Sequence, residues 1–265
     1  MELTATVASA SLLGAVFCFL TATALAILEV TRGARHARIP TLILMAAGFL
    51  LETLYLHYQG GMRGRCPITT LPEILIFLSW STVLLYFMVG PAYHLSLLGV
   101  FTAPLVAIFT ATGLATGAVS RIPTLPLSPV DPWLETHASV SLISYGAFTL
   151  AAVAATMFLV QNRLLKSRSL TQLFYNLPPV SYLARAVKRL IFIGFLLLSV
   201  GIASAFLLKV FPGWSKILLA SSVWIGYGTL LLIDLRNRLS PRSLSRASLC
   251  LFALPVITLG LLGRH

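Results

Sequence analysis

The stretch THASVSLISYGAFTLAAVAATMFLVQN, residues 136–162, decides the fold. It contains no Asp, Glu, Lys or Arg, and roughly 20 predominantly apolar residues suffice for a helix to cross a bilayer. Within lipid, a lone segment satisfies its own backbone polar groups only as a helix. Comparable runs lie on either side, at about 4–29, 38–57, 69–88, 91–114, 188–210, 214–234 and 246–262. The expected architecture is therefore all-α: a polytopic transmembrane helix bundle of about eight spans, forming a single integral membrane domain over residues 1–265.

Composition agrees with this. Of the 265 residues, 58% are hydrophobic and only 10% charged, and the mean hydropathy is +0.93. A soluble domain of this size needs far more polar surface. The opening segment MELTATVASA lacks the cationic start of a secretory signal, and its apolar stretch is too long for a cleaved one, so it reads as the first span.

Lys and Arg set the orientation. Placing the connections near 30–38, 163–187 and 235–246 on one side, with Lys188 and Arg189 at the start of the span that follows, gathers 13 of the 19 basic residues there, among them Arg163, Lys166, Arg242 and Arg246. The positive-inside rule makes that side the inner one and puts both termini outside. The same placement accounts for the net charge of +12 without nucleic acid, since the cations lie between apolar runs and form no patch interleaved with aromatics. The expected location is the bacterial inner (plasma) membrane as a multi-pass protein, with the lipid bilayer as its first partner.

Two longer connections remain. The outer one, about 115–135, is rich in proline. The inner one, RSLTQLFYNLPPVSYLARAVKRL at 168–190, carries Leu183, Ala186, Val187 and Leu190 at helical spacing with cations between. It reads as a helix lying on the inner surface, or equally as the helical end of a positive-inside loop. No internal repeat is evident, which disfavours a small-molecule transporter built from inverted halves with discontinuous helices.

Cys18, Cys66 and Cys250 form no C-x-x-C pair, which argues against a zinc site or a dithiol carrier. Cys18 and Cys250 fall within spans and Cys66 in an outer loop. No Ser-His-Asp arrangement, phosphate-cradling glycine loop or H-E-x-x-H occurs, so an autonomous enzyme is not expected. Glu52 and Glu73 lie on consecutive spans. Glu73, near the start of its span, either caps the helix or faces an outer cavity, and Asp234 beside Arg236 and Arg238 reads as an interfacial ion pair.

Histidine is the residue type to follow, because neutral imidazole ligates haem iron and other metals. His36 and His94 read as interfacial. In VDPWLETH, Asp131 is placed as a helix N-cap and Pro132 at the first helical position. Trp133 and His137 are then four apart and share a face at the outer interface. An indole beside an imidazole suits a flat, metal-bearing ligand, and equally an aromatic-belt tryptophan next to a solvated histidine. His57 ends the second span as a functional candidate or a snorkelling side chain. His265, the last residue, is a second axial ligand or part of a frayed end.

Several segments together carry a family resemblance. They are RCPITTLPEILIFLSWSTVLLYFMVG at 65–90, YHLSLLGVFTAPLVAIF at 93–109, PWLETHASVSLISYGAFTLAAVAATMFLVQNRLLK at 132–166 and NLPPVSYLARAVKRLIFIGFLLLSVGIASA at 176–205. The chain resembles the cytochrome c assembly family, in particular its CcsA branch and HemX-like relatives. The most specific parts are the W-x-x-x-H-x-S-x-x-x-x-S-Y block and the L-P-P segment followed by a G-F-x-L-L span.

The resemblance implies a haem-handling component of cytochrome c maturation that presents non-covalent, b-type haem at the outer face. It implies as partners apocytochrome c and a membrane-anchored biogenesis protein. His137 falls on the family's external haem ligand. Trp133 and Trp214 would border the porphyrin, and Arg65 would meet its propionates, with His57 and His265 as further candidates. The family's tryptophan-rich external segment is reduced here to KVFPGWSKILL, its later intramembrane histidine is replaced by Asp234, and Arg65 stands near the position of its early one. These departures leave a HemX-like regulator of tetrapyrrole synthesis, without haem transfer, as the alternative expectation.

Overall fold

The computed structural model describes residues 2–32, 38–89, 98–118, 131–167, 179–208, 214–236 and 238–262. Among them no strand occurs. The helices are α1 (Glu2–Arg32), α2 (Arg38–Arg63), α3 (Leu71–Val89), α4 (Leu98–Ala115), α5 (Pro132–Lys166), α6 (Val180–Ala205), α7 (Trp214–Leu235), α8 (Pro241–Leu251) and α9 (Ala253–Leu262). Among the described residues, α1 to α7 are each long and apolar enough to cross a membrane. The protein is a multi-pass helical bundle.

The expected eighth span, 246–262, is covered by two consecutive helices. Phe252 separates α8 from α9. Pro255 supplies the reason: it has no N–H to donate, and its ring crowds the carbonyl four residues back, at Leu251. The next link, from Val256 N–H to the Phe252 carbonyl, is stretched to 3.5 Å.

The inner amphipathic stretch also differs from a surface helix. Leu183, Ala186, Val187 and Leu190 are fully buried and belong to the first turns of α6, which continues unbroken to Ala205. Their apolar stripe packs into the bundle, leaving Arg185, Lys188 and Arg189 on the other side of the helix. The start of the fourth expected span and most of the proline-rich outer connection lie outside the described residues.

The core centres on α5, whose longest shared surface is with α6 and which also meets α3 and α8. Ala147, Ala151, Ala154 and Ala155 are fully buried along it. Small side chains let helix backbones approach closely, which is how helices gain contact where lipid removes the hydrophobic drive between them. One aromatic plug fills the middle: Phe148 stacks on Tyr227 with centroids 3.7 Å apart and planes at 5°. Gly194 of α6 lies over the Phe148 ring, where a Cβ would come within 2.6 Å of it. Phe17, Phe192, Val200 and Leu232 are all more than half exposed, and such residues form the lipid-facing belt.

Candidate functional site

At the end that the charge distribution makes outer, α2 stops at Arg63 and the chain turns through Gly64, whose φ of 66° suits glycine. The turn leads into α3, where Glu73 works as a cap. Its Oε2 accepts hydrogen bonds from the Thr69 N–H at 2.9 Å, the Thr70 N–H at 3.2 Å and the Thr69 hydroxyl at 3.0 Å. Its other oxygen pairs with Arg63, and both side chains are almost wholly buried. The ion pair therefore closes the 64–70 turn against the ends of two spans.

From that turn the Cys66 N–H donates to Glu135 Oε1 at 2.9 Å. This bond ties the turn to the first helical turns of α5. The α5 terminus has the expected form: Asp131 is the N-cap and accepts from the Trp133 N–H at 3.1 Å, with Pro132 opening the helix. Burial pushes the Cys66 thiol above its usual range. A hydrogen bond with Ser139 pulls back, and the charges of Glu135 and Glu73 push up again. At neutral pH the sulfur is thus a protonated thiol at the edge of the α5 terminus.

His137, two residues after Glu135, is half-buried. Its Nδ1 lies 2.7 Å from the backbone carbonyl of Gly201, near the outer end of α6. A carbonyl only accepts, so Nδ1 carries a proton, and in the neutral ring it is Nε2 that holds the lone pair. A hydrogen bond of this kind also orients metal-ligating histidines. The same carbonyl accepts the Ser204 hydroxyl at 2.6 Å. The close approach depends on glycine, since a Cβ at 201 would lie 2.5 Å from Ser141 Oγ.

The other expected site residues stand as follows. Trp133 is 46% exposed, one helical turn before His137. Arg65 is half-buried, and its Nε is buried without a hydrogen-bond partner. His57 is exposed, its ring edge-on to Tyr58, and no hydrogen bond joins it to His137. Trp214 opens α7, but its side chain lies outside what the structure describes, as do His265, His36 and His94. Asp234 is in an ion pair, though with Lys188 of α6 at 2.7 Å rather than with its neighbours Arg236 and Arg238.

Among the described residues no three His, Cys, Asp or Glu side chains converge on one point. A protein-built metal cage is not what this end offers. A porphyrin-held iron asks less of the protein, one or two axial ligands and a cation for each propionate. By their chemistry, the Nε2 of a neutral His137 is able to meet the first need and the Arg65 guanidinium the second.

Sequence reasoning missed three features. The Glu135–Cys66 bond and the Gly201 carbonyl both depend on long-range contacts. The third is inside the bundle, where Glu52 is completely buried, with Oε1 accepting from Thr110 Oγ1 at 2.7 Å, while Ser79 Oγ lies 2.9 Å from that hydroxyl. A glutamate within an apolar span was the visible signal for it.

The family model described as "Cytochrome C assembly protein" matches residues 68–263. Protein HemX of Brevibacillus brevis is 30% identical over 165 residues, covering 59% of this chain and 58% of that protein. The cytochrome c biogenesis protein CcsA of Nostoc punctiforme is 30% identical over 138 residues, 49% of this chain and 39% of that protein. CcsA of Chlamydomonas reinhardtii is 29% identical over 169 residues, 61% and 46%. The chain thus spans between about two fifths and three fifths of the length of these relatives.

Proposed function

Because the chain belongs to the cytochrome c assembly protein family, we propose that it handles haem at the outer membrane face during cytochrome c biogenesis. His137 is the iron ligand in this reading, and Arg65 meets a propionate. The observation that carries it is the His137–Gly201 hydrogen bond, which makes Nδ1 the donor, so that the neutral ring offers Nε2 to a metal, and which fixes the ring on two packed helices. Trp133 borders the porphyrin, with Trp214, His57 and His265 as further candidates for the same ligand. Haem is cargo here: held non-covalently and passed to apocytochrome c with the help of a membrane-anchored partner. The membrane is the bacterial inner (plasma) membrane.

The test is the absorption spectrum of the purified protein. Wild type is expected to carry a Soret band that weakens sharply in His137→Ala. An unchanged band in that variant, with the protein folded, removes His137 as the ligand.

The short connection FLLKVFPG, residues 206–213, between α6 and α7 and the match to HemX favour a second reading, a regulator of tetrapyrrole synthesis without haem transfer. Deleting the protein separates the two. Loss of covalent c-type haem with unaltered tetrapyrrole intermediates supports the first, and the reverse supports the second.

A further inference from the structure

At the inner end, away from His137, four cations from two helices share one pocket. Arg163 and Lys166 come from the last turn of α5, and Arg242 and Arg246 from the first turns of α8. With Asn162 and Leu159 they line a cavity of about 340 Å³. No carboxylate lines it.

The chain has no carboxylate to spare for it. Its seven acidic residues are Glu2, Glu29, Glu52, Glu73, Asp131, Glu135 and Asp234. At the inner end stand Glu29, which lines a different cavity with Thr41 and Tyr86, and Asp234, which is paired with Lys188. The arrangement also opposes a helix preference. Cations suit the last turn of α5, but Arg242 sits in the first turn of α8, where the backbone already presents positive charge and no acidic residue offsets it. Four like charges around one pocket, with Arg242 at the end of α8 that is already positive, favour an anion from outside the chain.

We propose that this pocket binds the headgroup of an anionic phospholipid of the inner leaflet, one with two phosphodiesters. Two phosphates balance four cations better than one, and arginine guanidinium groups meet phosphate oxygens in pairs. The position is the level of the headgroups, and Leu159, about one turn deeper on α5, gives the start of an acyl chain an apolar wall. Basic pockets between spans on this side of a membrane take such lipids.

The experiment is native mass spectrometry of the detergent-purified full chain, titrated with cardiolipin, phosphatidylglycerol or phosphatidylcholine. One cardiolipin is expected to remain bound at least tenfold more tightly than phosphatidylcholine. Arg242→Gln with Arg246→Gln should weaken it about 25-fold, at roughly fivefold per cation removed near the membrane surface. Arg163→Gln with Lys166→Gln, on the opposite wall, should do the same. Arg236→Gln with Arg238→Gln removes as much inner charge outside the pocket and should change binding less than twofold. Equal retention of phosphatidylcholine, or equal loss in the Arg236/Arg238 variant, overturns the proposal. Displacement of cardiolipin by inorganic pyrophosphate at matched concentration also overturns it, in favour of a soluble anion.

Discussion

His137 Nδ1 and the Gly201 carbonyl oxygen lie 2.7 Å apart across 64 residues of sequence, so the ring's orientation is set by how α5 and α6 pack. The imidazole is held by backbone, which side-chain substitution cannot remove directly. What substitution can do is push the backbone away.

Gly201→Val is therefore expected to weaken the haem band while leaving His137 in the chain. A side chain at 201 meets Ser141 Oγ, and overpacking of this kind costs about 1–3 kcal/mol. Pairing it with Ser141→Gly should return part of both the band and the melting temperature. A Gly201→Val protein with a full Soret band would separate His137's role from this contact.

The Arg63–Glu73 pair makes a second prediction. Glu73→Ala removes the carboxylate from beside the buried Arg63 guanidinium and uncaps α3, and breaking a buried pair from one side costs about 3–5 kcal/mol. Thermal unfolding in detergent should show a clear fall. Replacing both, as Arg63→Met with Glu73→Leu, should fall less than Glu73→Ala alone. A double variant worse than the single one would mean that the pair stabilises the turn more than its burial costs.

Glu52 is expected to behave in the opposite way. Its Oε2 is buried without a hydrogen-bond partner, so the carboxyl is a poor contributor to stability. Glu52→Met should leave the melting temperature unchanged or raise it, because an apolar side chain of similar volume removes an unsatisfied oxygen. A fall of several degrees would show that its bond to Thr110 holds α2 to α4.

Cys66 supplies the pH test. With its thiol held above the usual range by burial, alkylation by iodoacetamide at pH 7–8 should be slower than for a free cysteine thiol, whose pKa is about 8.5. The rate should keep rising with pH beyond the point where the free thiol levels off. Glu135→Gln removes one of the charges that raise it and should speed alkylation at fixed pH. A plateau at or below that of the free thiol would show that Cys66 is better solvated than its place in the turn implies.

The spans were legible because a lipid environment leaves the backbone few choices, and the N-cap Asp131 with Pro132 fixed the start of α5 to the residue. The inner amphipathic stretch was not. Leu183, Ala186, Val187 and Leu190 make the same stripe whether they face lipid headgroups or α5, and periodicity does not say which. At the last span, hydropathy averages across Pro255 and misses the break that a missing N–H imposes. In the site, His137 and Trp133 were visible by type and spacing. Its hydrogen-bond partner was not, because any backbone carbonyl looks alike in sequence, and Gly201 is marked only by the absence of a side chain.

The length of α5 has a consequence of its own. From Arg163 to His137 the helix rises roughly 39 Å, against about 30 Å of hydrocarbon. With Arg163 anchored at the inner interface, the imidazole stands about 9 Å above the outer edge of the acyl chains if the helix is upright. Bilayer thickness and tilt thus act as a depth gauge for His137. Thicker membranes draw it towards the acyl chains and thinner ones lift it into water, without any change in the protein.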